Sequence, residues 1–207
     1  MASGTKRLPR AVREQQMLDA AISAFAANGF ADTSMDAIAA EAKISKPMLY
    51  LYYGSKDELF SACIARESGR FLEAMSAGFD PAMRQKDQAR TLVREFLRFV
   101  YQNQDSWRVL YRVAVGTTSF AHIVTESRAG ITTMITDLIR RGTTTEGAGD
   151  VDFELTAVAL VGAGEAVADR ISEGDIDLET ATDLLLGITW RGLRGVGVSE
   201  EAVGDET

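Results

Sequence analysis

Between Thr33 and Gly54 the chain carries two short helix-forming stretches with a tight break between them. No other feature limits the fold as much. In TSMDAIAAEAKI, Thr33 or Ser34 caps a helix whose Ile38 and Ala42, four residues apart, share one inward face. A break follows near Lys43–Ile44. Ser45 caps the next helix, and Pro47 sits in its first turn, where a missing N–H removes no hydrogen bond. Gly54 stops it. Ahead of the pair runs REQQMLDAAISAFAANGF, with Leu18, Ile22 and Phe25 in one apolar stripe. Asn28–Gly29 ends that helix, and Phe30 can fold back onto its last turn. Behind the pair, Ser55–Lys56–Asp57–Glu58 reads as a capping box that opens a long helix over 56–78. Two short helices joined by a tight turn, after a longer packing helix, form a helix-turn-helix.

The second short helix contains Tyr50, Leu51, Tyr52 and Tyr53 in succession. Successive helical residues point about 100° apart, so four bulky groups cannot share one core. With Leu49 inward, Tyr52 and Tyr53 flank it, Pro47 and Leu51 point away, and Tyr50 leans to the side. An outward leucine fits the major groove of DNA, where a thymine methyl offers an apolar contact. Lys46, at the helix start, can reach a base edge or a phosphate. Tyrosine hydroxyls at the rim can donate to phosphate oxygens and fix register. Lys56, at the start of its own helix, can hold another phosphate. Tyr53 reads better as core, Tyr50 as a DNA contact, and Tyr52 as either.

The net charge of −8 weighs against nucleic acid until its distribution is read. Residues 1–56 hold seven basic residues (Lys6, Arg7, Arg10, Arg13, Lys43, Lys46, Lys56) and five acidic ones (Glu14, Asp19, Asp32, Asp36, Glu41), a balance of +2 that leaves −10 for the remainder. A basic front on an acidic body suits a small DNA-reading head on a larger domain.

Further helices are expected near 87–103, 106–116, 119–141, 152–173 and 177–194, with no strand pattern, which makes the chain all-α with about nine helices. One cysteine, Cys63, cannot form an intramolecular disulfide and fits a reducing compartment. The N-terminus lacks the apolar stretch of a secretory signal, and no run of about 18 apolar residues exists to span a membrane. The cytoplasm is the expected location. His122 is the lone histidine, which argues against a transition-metal site. The closing VSEEAVGDET is expected to be a disordered acidic tail.

The block from Ala20 to Phe60 resembles the DNA-binding head of the TetR family of one-component bacterial repressors. The matching pieces are A-x-x-x-F-A-x-N-G-F at 21–30, T-S-M-D-A-I-A-A-E-A at 33–42, and I-S-K-P-M-L-Y-L-Y-Y-G-S-K-D-E-L-F at 44–60. The resemblance implies a homodimer that places two recognition helices in successive major grooves of a palindromic operator. Carried over, Ser34, Lys46, Tyr50, Tyr52 and Lys56 match positions that contact phosphate or base, and Pro47 and Leu51 match the base-facing side. Two departures stand out. Lys43 occupies the place of a usual turn glycine, so either the turn differs or its neighbours hold Lys43 in strain. Leu51 replaces a commonly polar or aromatic residue.

The resemblance also implies a C-terminal part that binds a ligand and dimerises. The aromatic and methionine-rich set Phe71, Met75, Phe96, Phe99, Val100, Trp107, Leu110, Tyr111, Met134 and Leu138 supplies the candidate lining of an apolar pocket. On the last two helices, Leu160, Val161, Gly164 and Val167, with Leu184, Leu185, Ile188 and Trp190, are the candidate dimer contacts. The expected organisation is a basic arm over 1–11, the helix-turn-helix domain over 12–57, the ligand-binding and dimerisation domain over 58–197, and the tail over 198–207. The expected function is a ligand-responsive repressor released by a small, mainly apolar effector, without a cofactor. An activator or ligand-independent regulator of the same fold is the alternative. A remote rival is a dinucleotide-binding enzyme, suggested by Gly162-x-Gly164 after an apolar run; Val167 stands where the fingerprint needs a small residue.

Overall fold

A computed structural model describes residues 9–80, 82–117, 119–141 and 152–195, with the backbone alone at 85 and 190–195. Among these residues the chain forms nine α-helices and no strand. They are α1 (Arg10–Asp32), α2 (Met35–Glu41), α3 (Lys46–Tyr52), α4 (Lys56–Ala77), α5 (Gln85–Gln102), α6 (Gln104–Arg108), α7 (Ala121–Arg141), α8 (Phe153–Glu173) and α9 (Leu178–Gly195). A π-helical segment, Val109–Val113, follows α6. Most of the expected arm, the segment after Gly142 and the tail lie outside the described residues.

Two details differ from the sequence reading. Gly29 does break α1, at φ 76° and ψ 174°, a combination open essentially to glycine alone, but a further turn runs on to Asp32. The helix expected over 106–116 changes its winding part-way. The Ala114 N–H donates to the Val109 carbonyl at 3.0 Å, the five-residue spacing of a π-helix.

Packing divides the chain into two compact units. Of the described residues, the first comprises 9–69 together with Asp105–Ala121; the second comprises Arg70–Gln104 and those from His122 onward. The division falls within α4, after Gly69, and the stretch around Trp107 belongs with the first unit. In the first unit Phe60 is the hub of an aromatic cluster, with ring centroids 4.8 Å from Phe25, 5.0 Å from Phe30 and 4.8 Å from Phe120. Met17, Ile38, Leu49, Leu59 and Ile64 are buried there as well. Burial pushes the Cys63 thiol up to about 12, so at neutral pH it is not a thiolate. In the second unit α5 packs on α8 and α9, which pack on each other. A Cβ at Gly164 would meet the Phe96 ring at 3.5 Å, an ordinary van der Waals contact, so α5 and α8 pack here without needing glycine.

The joints of the head are closed by short-range polar contacts. Thr33 Oγ1 donates to the Gly29 carbonyl at 2.7 Å and the Ala24 carbonyl at 3.1 Å, tying down the end of α1. Ser34 Oγ accepts the Ala37 N–H at 3.1 Å and caps α2. Ser55 Oγ accepts the Glu58 N–H at 3.1 Å, and the Glu58 carboxylate accepts the Gly54 N–H at 3.1 Å. This is the expected capping box, with its carboxylate end displaced by one residue. Lys56 Nζ donates to three carbonyls, of Phe30, Ala31 and Thr33, at 2.8, 3.2 and 3.1 Å. It also lies 4.5 Å from the centroid of the Phe30 ring.

Lys43 adopts φ 55°. Its N–H donates to the Ala40 carbonyl at 3.1 Å, and the Ile44 N–H donates to the Ala39 carbonyl at 3.0 Å. These are the two hydrogen bonds of a Schellman stop with Lys43 in its left-handed position. Of the two possibilities the sequence left open, the turn is the ordinary one and its hydrogen bonds hold the lysine in a conformation that costs about 1 kcal/mol.

Replacing Lys56 by Met should cost about 1–3 kcal/mol, since it removes a charged donor from three helix-end carbonyls. A urea titration should show a lower midpoint with an unchanged m-value.

Candidate DNA-binding surface

The geometry of α3 starts from its one buried side chain. Leu49 is 0 % exposed and anchors the helix to the first unit's core. The turn of the helix then puts Leu51 at 82 % and Tyr50 at 43 % exposure. Pro47, in the first turn, is exposed too. Tyr52 is half-buried with the Arg10 guanidinium 5.4 Å from its ring centroid. Tyr53 ends the helix, donating its N–H to the Leu49 carbonyl at 2.9 Å, and burial raises the pKa of its phenol. Ser34 and Lys46 are exposed at the starts of α2 and α3.

Two of the expected phosphate-binding lysines have partners inside the chain. Lys46 Nζ donates to the Asp36 carboxylate at 2.7 Å, linking α3 to α2. Asp36 entered the sequence reading only through the charge count, although it lies on the first turn of α2 close to the capping serine. The Lys56 donors are directed at the end of α1. A lysine's reach over 23 residues of sequence, to Thr33, is fixed by the tertiary fold and leaves no local pattern.

The candidate ligand-pocket residues fall into two groups. Trp107, Leu110 and Tyr111 belong to the first unit. Trp107 is 1 % exposed and stacks on Tyr111 with centroids 3.8 Å apart. Phe71, Met75, Phe96, Phe99, Val100, Met134 and Leu138 belong to the second. There Phe71 meets Phe99 and Phe96 edge-on at 5.2 and 6.1 Å, Val100 is buried, Met75 and Leu138 are half-buried, and Met134 is exposed. A cavity of about 640 Å³ does form in this unit, between α7 and α8. It is open to solvent and lined by Thr125, Thr132, Thr136, Arg128, Arg140 and Val158 among others, and by none of the ten expected residues.

The candidate dimer contacts also separate. Val161, Gly164 and Leu185 are buried within their own chain, and Leu160 and Val167 are half-buried. Leu184 and Ile188 are exposed, and the side chain of Trp190 lies outside the described residues. Leu155 and Val158 are exposed as well, on a face of α8 the sequence reading passed over. Their three-residue spacing was the available signal.

Two family models match the chain: "Bacterial regulatory proteins, tetR family" over residues 17–63 and "Tetracyclin repressor-like, C-terminal domain" over residues 86–192. The chain belongs to the TetR family. A crystal structure of a TetR-like transcriptional regulator from Rhodococcus sp. RHA1 is 54 % identical, superposes with a TM-score of 0.82, and covers 91 % of this chain and 100 % of that one. The HTH-type transcriptional activator FasR of Mycolicibacterium smegmatis is 28 % identical over 92 % of this chain and 87 % of its own length. An HTH-type transcriptional repressor of Streptomyces coelicolor is 29 % identical over 81 % of this chain and 92 % of its own length. The TetR-family chain is a transcriptional regulator and not an enzyme. Gly162 and Gly164 lie inside α8, well past its first turn, and not at a helix start as the dinucleotide fingerprint requires.

Leu51→Ala should leave stability within about 0.5 kcal/mol of the parent while weakening binding to the preferred duplex, because the side chain is free of the core. Thermal melts beside fluorescence anisotropy check both halves. Lys46→Ala should reduce the slope of log affinity against log salt by about one.

Proposed function

We propose that this regulator is a repressor that binds a palindromic operator as a homodimer and is released by a small, mainly apolar effector. The observation that carries the DNA half is the outward display of Tyr50 and Leu51 on a helix pinned by Leu49. The tyrosine hydroxyl serves a phosphate, and the leucine meets base methyls in the major groove. The bases flanking Leu51 decide the operator, and the protein works in the cytoplasm.

The homodimer reading draws on the exposed apolar residues of α8 and α9: Leu155, Val158, Leu184 and Ile188. Four large side chains on two helices favour burial against a second copy. The effector reading draws on the cluster of Phe71, Phe96 and Phe99 with half-buried Met75. Phe71 and Met75 ride on α4, one continuous helix that starts at the clamped Lys56. An effector pressed against them acts on the helix that also closes the DNA-binding head. The coupling is reciprocal and typically 1–3 kcal/mol, so the operator complex binds the effector more weakly by the same factor.

A second reading, activation, is favoured by the similarity to an activator at nearly the same identity as to a repressor. Transcription from the neighbouring promoter, run with and without the purified protein, separates the two. The repressor reading fails if added protein raises transcript levels.

Two substitutions test the dimer. Leu184→Glu or Ile188→Glu should give folded monomers by light scattering, since each puts a charge on an exposed contact face. Leu185→Glu should instead unfold the chain, because that residue is buried in its own protomer. A parent protein that is monomeric at micromolar concentration removes the homodimer from the proposal. For the effector, Met75→Ala should preserve operator affinity while raising the concentration needed for release.

A further inference from the structure

Two helices of this protein end in the same hydrogen-bonded stop. At the end of α8, the Gly174 N–H donates to the Ile171 carbonyl and the Asp175 N–H to the Arg170 carbonyl, both at 3.0 Å. At the end of α2, Lys43 donates to Ala40 and Ile44 donates to Ala39, at 3.1 and 3.0 Å. In each case one bond reaches back three residues and the next reaches back five. The left-handed residue occupies the same point in both, at φ 80° for Gly174 and φ 55° for Lys43. Glycine enters that region freely, and lysine does not. Among the described residues Lys43 is the only non-glycine with positive φ.

The backbone gains nothing from lysine here, because glycine would make the same two hydrogen bonds. What lysine adds is its side chain, which is exposed. No hydrogen bond or ion pair engages its ammonium among the described residues. The other two lysines between 33 and 56 are both engaged, Lys46 by Asp36 and Lys56 by three carbonyls. Among the described residues, Lys43 therefore holds the one lysine charge in the helix-turn-helix without a partner. It sits two residues before Ser45, the N-cap of α3. Two residues of chain span about 7 Å at most, and a flexible four-carbon stem adds to that reach. If α3 enters a groove, a cation at this point would meet the phosphates that flank it.

We propose that Lys43 is a phosphate anchor of the DNA-binding surface, placed by a strained turn. The inference rests on the reading of α2 and α3 as that surface. The ammonium is a point charge, so it neutralises one phosphate and positions the head without reading sequence. The Schellman hydrogen bonds fix the direction in which the side chain leaves the turn.

Two variants separate the charge from the conformation. Lys43→Gly removes the charge and relaxes the turn. Lys43→Gln removes the charge but keeps a long side chain at positive φ. Anisotropy titrations use two labelled duplexes of equal length, one carrying the best palindrome from the DNA beside the gene and one with that sequence shuffled. On both duplexes, each variant should lower the slope of log affinity against log salt by about 0.9, with the preference for the palindrome unchanged. Lys43→Gly should melt above the parent, and Lys43→Gln should not. Parental slopes in both variants overturn the proposal and leave the DNA-binding reading intact. So does a loss confined to Lys43→Gly, which would implicate turn geometry and not charge. A parent protein that binds neither duplex in a salt-dependent way overturns both.

Discussion

One ammonium group holds the DNA-binding head closed. Lys56 Nζ meets the carbonyls of Phe30, Ala31 and Thr33, which end α1, and Lys56 itself begins α4. Everything between, α2 with its stop and α3 with its exposed face, is therefore a loop of helices with both ends tied to one point. The carbonyls at a helix end lack partners of their own, so the lysine serves them as a cap supplied from elsewhere in the chain. The Phe30 ring beneath the ammonium joins this polar closure to the cluster around Phe60. Leu49 and Ile38 fasten the two short helices from below, each fully buried. What faces outward on α3 is then decided by what faces in.

The parts of this arrangement set by neighbouring residues were legible in the sequence. Ser34 as a cap, Gly29 as a break, the Ser55–Glu58 box and the outward turn of Leu51 all follow from spacing of a few residues. The parts set by distant residues were not. Nothing near Lys56 signals that its partners are the carbonyls of Phe30, Ala31 and Thr33, and Lys46 gives no local hint of Asp36. The π-helical winding at 109–113 carries the same residue types as an α-helix, so periodicity passes over it. The assignment of Trp107 to the head unit arises from packing alone.

The second unit shows the limit more sharply. Leu184 and Leu185 are chemically identical neighbours, one 46 % and the other 5 % exposed. Hydrophobicity marks both as apolar, and only their angle on α9 separates a surface residue from a core residue. On α8 the same ambiguity put Val161 and Gly164 among the expected contacts and passed over Leu155 and Val158. The aromatic and methionine set likewise mixes buried residues such as Phe99 and Trp107 with the exposed Met134.

The pairing of Lys46 with Asp36 bears on how DNA is held. Any phosphate that takes this lysine displaces a carboxylate already 2.7 Å from it. Exposed pairs of this kind are weak, so the exchange trims the hold on arbitrary DNA without abolishing it. The acidic remainder of the chain, at −10, adds long-range repulsion from every stretch of duplex that offers only phosphates. If α3 enters a groove, its base contacts then carry a larger share of the hold on DNA than the phosphates do.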